Sequence, residues 1–370
     1  MQNTSLTLPI SAAEQFSPSR PVRDVRIYGK GNVHDTFLVT LEGVERDKFI
    51  LQRLNTHVFN QPHLIINNIQ IFSEHMAHRL RREPLSSGRR WEVPVLLLTG
   101  EGQDLWLDPE GSFWRAISFI EKARVLETIQ NLDQAREVGW ALAMFHRLLS
   151  DLPIETLSDT LEGFHITPRY LDHYDRVLAE NRPPQSPEVE YGLRFVAEKR
   201  MQAGVLESAK AQGRLRLRPI HGDPKVNNVL FDTDTNQAVG LIDLDTVKPG
   251  LIHYDIGDCL RSGCNPMGEE AEDWKAVRFD PDLCRAVLQG YLPVVRDTLG
   301  PHDWDYLYEA LRLIAFELGL RFFTDFLEGN IYFKADQPNQ NLRRALVQFK
   351  LSESIESQAA DIKTVILETR

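Results

Sequence analysis

Hydrophobic positions change their period partway along this chain, and the change divides it in two. Val22–Tyr28, Thr36–Leu41 and Lys48–Leu54 are short β-favouring runs. Gly29-Lys30-Gly31-Asn32 separates the first pair and residues 43–47 the second, so the three runs predict an antiparallel meander. Ile65, Ile66, Ile69, Phe72, Met76 and Leu80 then recur near helical spacing, predicting an amphipathic helix over 63–82. Glu92–Thr99 and Gln103–Leu107 read as strands completing the small sheet. From residue 112 the pattern is helical: Ser112–Ile129, Asp133–Leu149, 168–180 and 188–211, the last two parted by the Pro-rich stretch Arg182–Pro187. A β signal returns where Val226–Phe231 and Gln237–Ile242 flank a turn over 232–236. Helices then resume, among them the strongly apolar Trp304–Leu327, closed by Gly329 and Asn330. Residues 1–20, rich in Ser, Thr and Pro, read as a loose lead-in. The whole predicts an α+β chain, with a small antiparallel β-rich lobe over 21–108 and a large helical lobe over 109–370 carrying one embedded hairpin.

Composition narrows the class. Charged residues are 26% and hydrophobic residues 42%, enough for a sizeable core. Asp plus Glu is 53 against 42 for Lys plus Arg, a net charge of −11, which argues against a broad basic grip on nucleic acid. Cys259, Cys264 and Cys284 are odd in number and form no C-x-x-C pair, so reduced thiols are expected. The N-terminus lacks a basic start followed by an apolar run, and Val93–Leu98, the densest apolar stretch, is short and broken by Pro94. The expectation is a cytoplasmic protein with no membrane segment and no nucleic-acid partner.

The stretch His221-Gly222-Asp223-Pro224-Lys225-Val226-Asn227-Asn228, with Leu241-Ile242-Asp243-Leu244-Asp245-Thr246 after it, carries the chemistry. Its first half has the pattern H-x-D-x-K-x-x-N. If Phe231 opposes Ala238 across the turn, Asn228 opposes Leu241. Asp243 then lies two residues further, roughly 7 Å along the strand. One cation is within reach of both side chains, and Asp223 enters the same end of the hairpin. Phosphoryl transfer needs such a set. Mg²⁺ takes oxygen ligands such as the Asn228 amide and Asp243. A free carboxylate such as Asp223 can orient the acceptor hydroxyl and take its proton. Lys225 is placed to offset charge on the transferred group.

This stretch resembles the catalytic loop and metal motif of the aminoglycoside phosphotransferase and choline kinase superfamily, relatives of the protein kinases. The resemblance implies a bilobal protein-kinase-like fold using ATP and Mg²⁺. More narrowly, Gly29–Phe37, Phe49–Asn55, Ile242–Val247 and Arg321–Asp325 are similar to segments of the N-acetylhexosamine 1-kinases. That likeness implies transfer to the anomeric hydroxyl of N-acetylglucosamine or N-acetylgalactosamine. The alternatives are an aminoglycoside, choline or homoserine kinase of the same fold, or a catalytically silent binding module. Gly29, Gly31 and Asn32 lie in the first hairpin turn, where kinases fold backbone N–H groups over nucleotide phosphates. Where a kinase strand places its lysine, this chain reads Gln52-Arg53, and alternation lets only one of the two face the nucleotide. Glu74, the nearest helix glutamate, reads as solvated. Asp245 is either a further metal ligand or a turn residue, and Asp255 and Asp258 either cap a helix or brace the loop. Glu317, Arg321 and Asp325 recur every four residues on one helix face, either as an ion-paired surface stripe or as a half-buried set in which Arg321 needs the two carboxylates or a ligand as partners. Resemblance makes Arg321 and Tyr332 the sugar contacts, and an arginine in the acceptor pocket suits a neutral sugar better than a polycation. Trp114-Arg115 and Phe164–Tyr170 resemble segments of the same group without an evident chemical role.

Overall fold

The computed structural model describes residues 7–29, 33–43, 47–85 and 88–370. Residues read as a loose lead-in contain helix α1 (Thr7–Gln15), which seats Ala12, Ala13 and the following Phe16 on the back of the first sheet. Small residues on that face let the helix lie close, and this burial orders a segment of little periodicity.

The predicted meander is present as β1 (Val22–Ile27), β2 (Asp35–Leu41) and β3 (Lys48–Arg53), antiparallel throughout. Helix α2 (Pro62–Arg82) follows, with proline in its first turn, where a missing N–H costs nothing. It buries Ile65, Ile69, Phe72 and Met76 in the core of the helical lobe. Glu74 on its outer side is exposed, as read. Short strands β4 (Leu96–Leu97) and β5 (Trp106–Leu107) both pair with β6 (Phe113–Ser118), completing the order β1-β2-β3-β6-β4.

Strand β6 and the short β7 (Ala123–Arg124) correct the helix read over Ser112–Ile129. Phe113-Trp114-Arg115-Ala116-Ile117-Ser118 alternates with period 2. Trp114 and Ala116 join the core beneath α1, while Arg115 points the other way, toward the helical lobe. Pairing along β3, with Leu51 opposite Ala116, completes the sheet and outweighs the local helical pattern. The first sheet therefore extends past the boundary read at residue 108.

The helical lobe comprises α3 (Leu132–Leu148), α4 (Thr167–Glu180), α5 (Pro187–Lys199) and α6 (Val205–Ala211), then β8 (Arg218–Ile220), the hairpin β9 (Val229–Asp232) and β10 (Ala238–Leu241), and β11 (Lys248–Gly250). Helices α7 (Ile252–Gly263), α8 (Pro281–Val295), α9 (Leu307–Leu327), α10 (Gln340–Ser357) and α11 (Ala359–Thr369) complete it. The segment read as one helix over 188–211 is broken by a tight turn at Arg200–Gln202, ahead of Gly204. Helices α3 and α8 meet backbone to backbone. A Cβ on Gly139 would stand 1.9 Å from the Val287 carbonyl oxygen, and one on Gly290 2.0 Å from that of Arg136. Side chains there would force apart the layer that carries the catalytic loop. The three cysteines are free and buried. Among the described residues no helix is long and apolar enough to cross a membrane.

Candidate active site

Strand β8 ends at Ile220, and the catalytic loop leaves it under restraint from three sides. The backbone N–H groups of His221 and Gly222 donate to the two oxygens of Asp255, at 2.7 and 2.8 Å. Asp255 is fully buried in the first turn of α7 and is itself held by His146 Nε2 at 2.8 Å. Asp255 thus braces the loop, the second of the two roles open to it. Thr246 donates to the His221 carbonyl at 2.8 Å, and His165 Nε2 donates to that of Gly222 at 2.6 Å. Gly222 has φ +86, and a Cβ there would lie 2.8 Å from Thr246, so the turn requires glycine on both counts.

The turn aims Asp223 into the cleft between the lobes. Its Oδ2 accepts from Lys225 Nζ at 2.7 Å and from Asn228 Nδ2 at 3.2 Å. The same amide nitrogen donates to the Asp223 carbonyl at 2.7 Å, which fixes the Asn228 plane and leaves its Oδ1 without a hydrogen bond among the described residues. Burial opposes the Asp223 charge, but Lys225 holds its pKa below the usual carboxylate value. Burial likewise works against the Lys225 ammonium, and Asp223, Asp243 and Glu269 hold it above the ordinary lysine value.

The hairpin register departs from the simple one. Ala238 faces Phe231, but a bulge at Val239 shifts the pairing, so Leu241 faces Val229 and the Ile242 N–H donates to the Asn228 carbonyl at 2.9 Å. Asn228 therefore meets Ile242, and Asp243 is one residue beyond its partner instead of two. Asp243 itself is left-handed, with φ 64° and ψ 58°. Its carboxylate is solvent-accessible and has no hydrogen bond or ion pair among the described residues. The surrounding chain and the nearby Asp223 and Asp245 carboxylates push its pKa up. An unneutralised carboxylate beside a free amide oxygen fits a hard cation that completes its shell with phosphate and water.

Asp245, two residues on, differs. It is buried, accepts from Arg115 Nη2 at 2.8 Å and from His34 Nε2 at 2.5 Å, and forms an ion pair with Arg115 Nη1 at 2.6 Å. The other His34 nitrogen accepts from the Asn55 N–H at 3.0 Å, so Nε2 carries the proton. Burial opposes the Asp245 charge, but Arg115 and His34 lower its pKa far below the usual range. With its carboxylate shared between the Arg115 guanidinium and the His34 Nε2–H, Asp245 is paired across the lobes, while Asn228 and Asp243 keep oxygens free for a metal. Gln52 lies on this same face. Its Oε1 accepts from Arg115 at 2.8 and 2.9 Å. Arg53, on the opposite face of β3, pairs with Asp35 and lies 5.9 Å from the Trp114 ring. Of the two residues left open by the sequence, Gln52 faces the cleft, and the cation beside it comes from β6. Gly29 has φ +76 at the end of β1. Gly31 and Asn32 lie outside the described residues.

On the far side of Asp223, α9 presents the predicted stripe, but its carboxylates do not hold its arginine. Glu317 accepts from His165 Nδ1 at 2.8 Å and from the Thr167 hydroxyl at 2.6 Å. Asp325 accepts from the backbone N–H groups of Tyr332 and Phe333, at 2.6 and 3.1 Å, and from Asn341 at 2.8 Å. Arg321 is instead enclosed by rings. Its guanidinium carbon is 5.0 Å from Phe164, 5.1 Å from Tyr170, 5.3 Å from Phe333 and 5.7 Å from Tyr332. The stripe links three tasks: Glu317 grips the catalytic loop through His165, Arg321 occupies the aromatic enclosure, and Asp325 pins the loop after the helix.

With this geometry in place, the sequence pattern of the phosphotransferase enzyme family matches residues 24–293. The chain belongs to this family. Solved structures similar to this phosphotransferase include a microcompartment-associated aminopropanol kinase, at TM-score 0.63 and 18% identity over 98% of this chain and 100% of that one. An aminoglycoside phosphotransferase from Alicyclobacillus acidocaldarius matches at TM-score 0.57 and 15% identity, covering 94% and 93%. An ethanolamine kinase from Plasmodium vivax matches at 0.54 and 12%, covering 94% and 84%. These structures bear out the kinase-like fold and the family match bears out the superfamily, while the likeness to N-acetylhexosamine 1-kinases rests on the segments quoted above.

The structure brings Asp223, Lys225, Asn228 and Asp243 of this phosphotransferase to one point and puts Arg321 and Tyr332 together at another. Sequence reasoning missed Arg115, His34 and His165. A period-2 reading of residues 113–118 would have placed Arg115 opposite Gln52 on the cleft face. The positive φ of His165, at 65°, has no such signal.

Proposed function

We propose that this phosphotransferase transfers the terminal phosphoryl group of ATP to the anomeric hydroxyl of an N-acetylhexosamine, giving the sugar 1-phosphate. The observation that carries the reaction is the unneutralised Asp243 beside the free Asn228 oxygen, next to an Asp223 kept ionised by Lys225. Asn228 and Asp243 would hold Mg²⁺, which supplies charge neutralisation to the polyphosphate. Asp223 orients the acceptor hydroxyl toward phosphorus. The new bond forms from that oxygen, the bond to the ADP oxygen breaks, and the hydroxyl proton passes to Asp223 Oδ. Because Lys225 lowers the Asp223 pKa, the carboxylate is an orienting group first and takes the proton late, which suits a loose transition state. Lys225 offsets charge on the transferred oxygens. Gln52 and Arg115 face the nucleotide side, with the turn at Gly29.

For the acceptor, support comes from the resembling segments and from Arg321 lying beside the Tyr332 ring. An amine acceptor, of the kind named for the aminopropanol and ethanolamine kinases, would bring its ammonium against a guanidinium. The test is ATP consumption over sugars, N-acetylhexosamines, aminoglycosides, choline, ethanolamine and homoserine, with ³¹P NMR of the product. A sugar 1-phosphate from N-acetylglucosamine or N-acetylgalactosamine is expected. Turnover confined to the amines would overturn the acceptor assignment and keep the reaction.

A further inference from the structure

Four aromatic rings from two separate segments converge on one cation of the protein itself. Phe164 and Tyr170 flank the start of α4, and Tyr332 and Phe333 follow α9. All four ring centroids lie 5.0–5.7 Å from the Arg321 guanidinium carbon. That is the distance at which aromatic faces bind cations, and enclosures of this kind recognise methylated ammonium groups. Arg321 has no hydrogen bond or ion pair among the described residues, and its neighbours Glu317 and Asp325 are committed elsewhere. The rings therefore account for its position.

We infer that this enclosure is a cation site that the chain fills with its own guanidinium, and that Arg321 is what bars ammonium-bearing molecules from it. The inference rests on the reading of this edge of the cleft as the acceptor side. The walls are braced independently of the arginine. Tyr332 and Phe333 are fixed by Asp325 through backbone N–H groups, and Asn341 donates to Asp325, to Asn330 and to the Phe333 carbonyl. Phe164 adjoins His165, which is held by Glu317 and Gly222. Removing the guanidinium empties the enclosure without removing what shapes it. Access remains, because Tyr332 is 42% exposed. The field left behind favours a cation, since Glu317 and Asp223 both act on Arg321. While Arg321 is present, the site offers N–H donors to neutral or anionic oxygen-bearing acceptors and repels amines.

The test needs no turnover. Arg321→Ala is purified beside the wild type. The probe is tetramethylammonium chloride, with sodium chloride at equal concentration as the control for ionic strength, read by calorimetry and by thermal unfolding. Wild type is expected to respond identically to both salts. Arg321→Ala is expected to bind tetramethylammonium at least about tenfold more tightly than wild type and to unfold at higher temperature in it than in sodium chloride. Adding Phe333→Leu to that variant should abolish the gain. Should Arg321→Ala be too unstable for calorimetry, the salt comparison of unfolding temperature decides, and Arg321→Gln repeats it. Equal responses to both salts in Arg321→Ala and Arg321→Gln, or a gain that survives Phe333→Leu, would overturn the inference. Because the readout omits ATP and sugar, a failed hexosamine screen leaves it standing, and a working screen does not rescue it.

Discussion

The junction between the lobes and the floor of the cleft are built from the same residue types and treat charge in opposite ways. At the junction, Asp245 is matched by Arg115 and His34, and Arg115 is matched again by Gln52. On the cleft floor, Asp243 has no hydrogen-bond or ion-pair partner among the described residues, and Asn228 keeps an oxygen free of them. Only Leu244 stands between the two carboxylates along the chain. Saturated charge fastens lobe to lobe, and unsaturated charge waits for a ligand. The difference shows which acidic residues can be lost at the expense of stability and which at the expense of activity.

The severest break of this contrast is at the reacting group. Asp223→Asn keeps the shape and removes the charge, and should lower turnover about 10²–10⁴-fold while nucleotide affinity changes little. ADP-release kinetics beside nucleotide calorimetry read both. The sharpest comparison follows. Asp245→Asn leaves Arg115 buried beside a neutral group, and loss of one partner of a buried pair costs about 3–5 kcal/mol. Asp243→Asn removes a carboxylate for which burial and the repulsion of Asp223 and Asp245 outweigh the attraction of Lys225, so unfolding in urea should be unchanged or slightly harder. Its Mg²⁺-dependent nucleotide binding should nevertheless vanish. Equal stability losses in the two variants would erase the distinction.

A third experiment concerns pH. His165 faces the Glu317 carboxylate through Nδ1 and the Gly222 carbonyl through Nε2, and two acceptors require a proton on both nitrogens. Burial opposes the charge, but Glu317 raises the pKa above the ordinary histidine value. The stabilisation is therefore full below about pH 6.5, the unfolded value. It is lost as pH rises through the higher folded value. Wild-type unfolding temperature should fall across that alkaline window more steeply than that of Glu317→Gln. The smallest effect is expected at the acceptor. Arg321→Lys keeps the charge and loses the flat surface that lies among four rings. It should raise the Michaelis constant for an N-acetylhexosamine a few-fold and leave that for ATP unchanged, with Tyr332→Phe milder still.

The catalytic loop was legible because its groups must converge within a few residues of one another. His221 to Asn228 and Ile242 to Asp245 carry their geometry in their spacing. The rest depends on contacts between remote segments. The Val239 bulge moved the facing residue of Asn228 by one, and nothing local marks a bulge there. Phe113–Ser118 read as helix because its neighbours are helical, and with it went Arg115. The spacing of Glu317, Arg321 and Asp325 correctly placed them on one face. It could not show that His165 and the loop after α9 claim the two carboxylates, because those partners lie far off along the chain.

The left-handed turn at Asp243 also shapes how this gene can decay. Asparagine and glycine both accept positive φ, and each is one base change from aspartate. A descendant that has lost catalysis through position 243 would then retain its fold and its lobe junction, and would carry one of those two residues. Substitution by β-branched valine, also one base away, would strain the backbone as well as remove the charge. A population of silent relatives should therefore be biased toward the two substitutions that destroy function while sparing the protein.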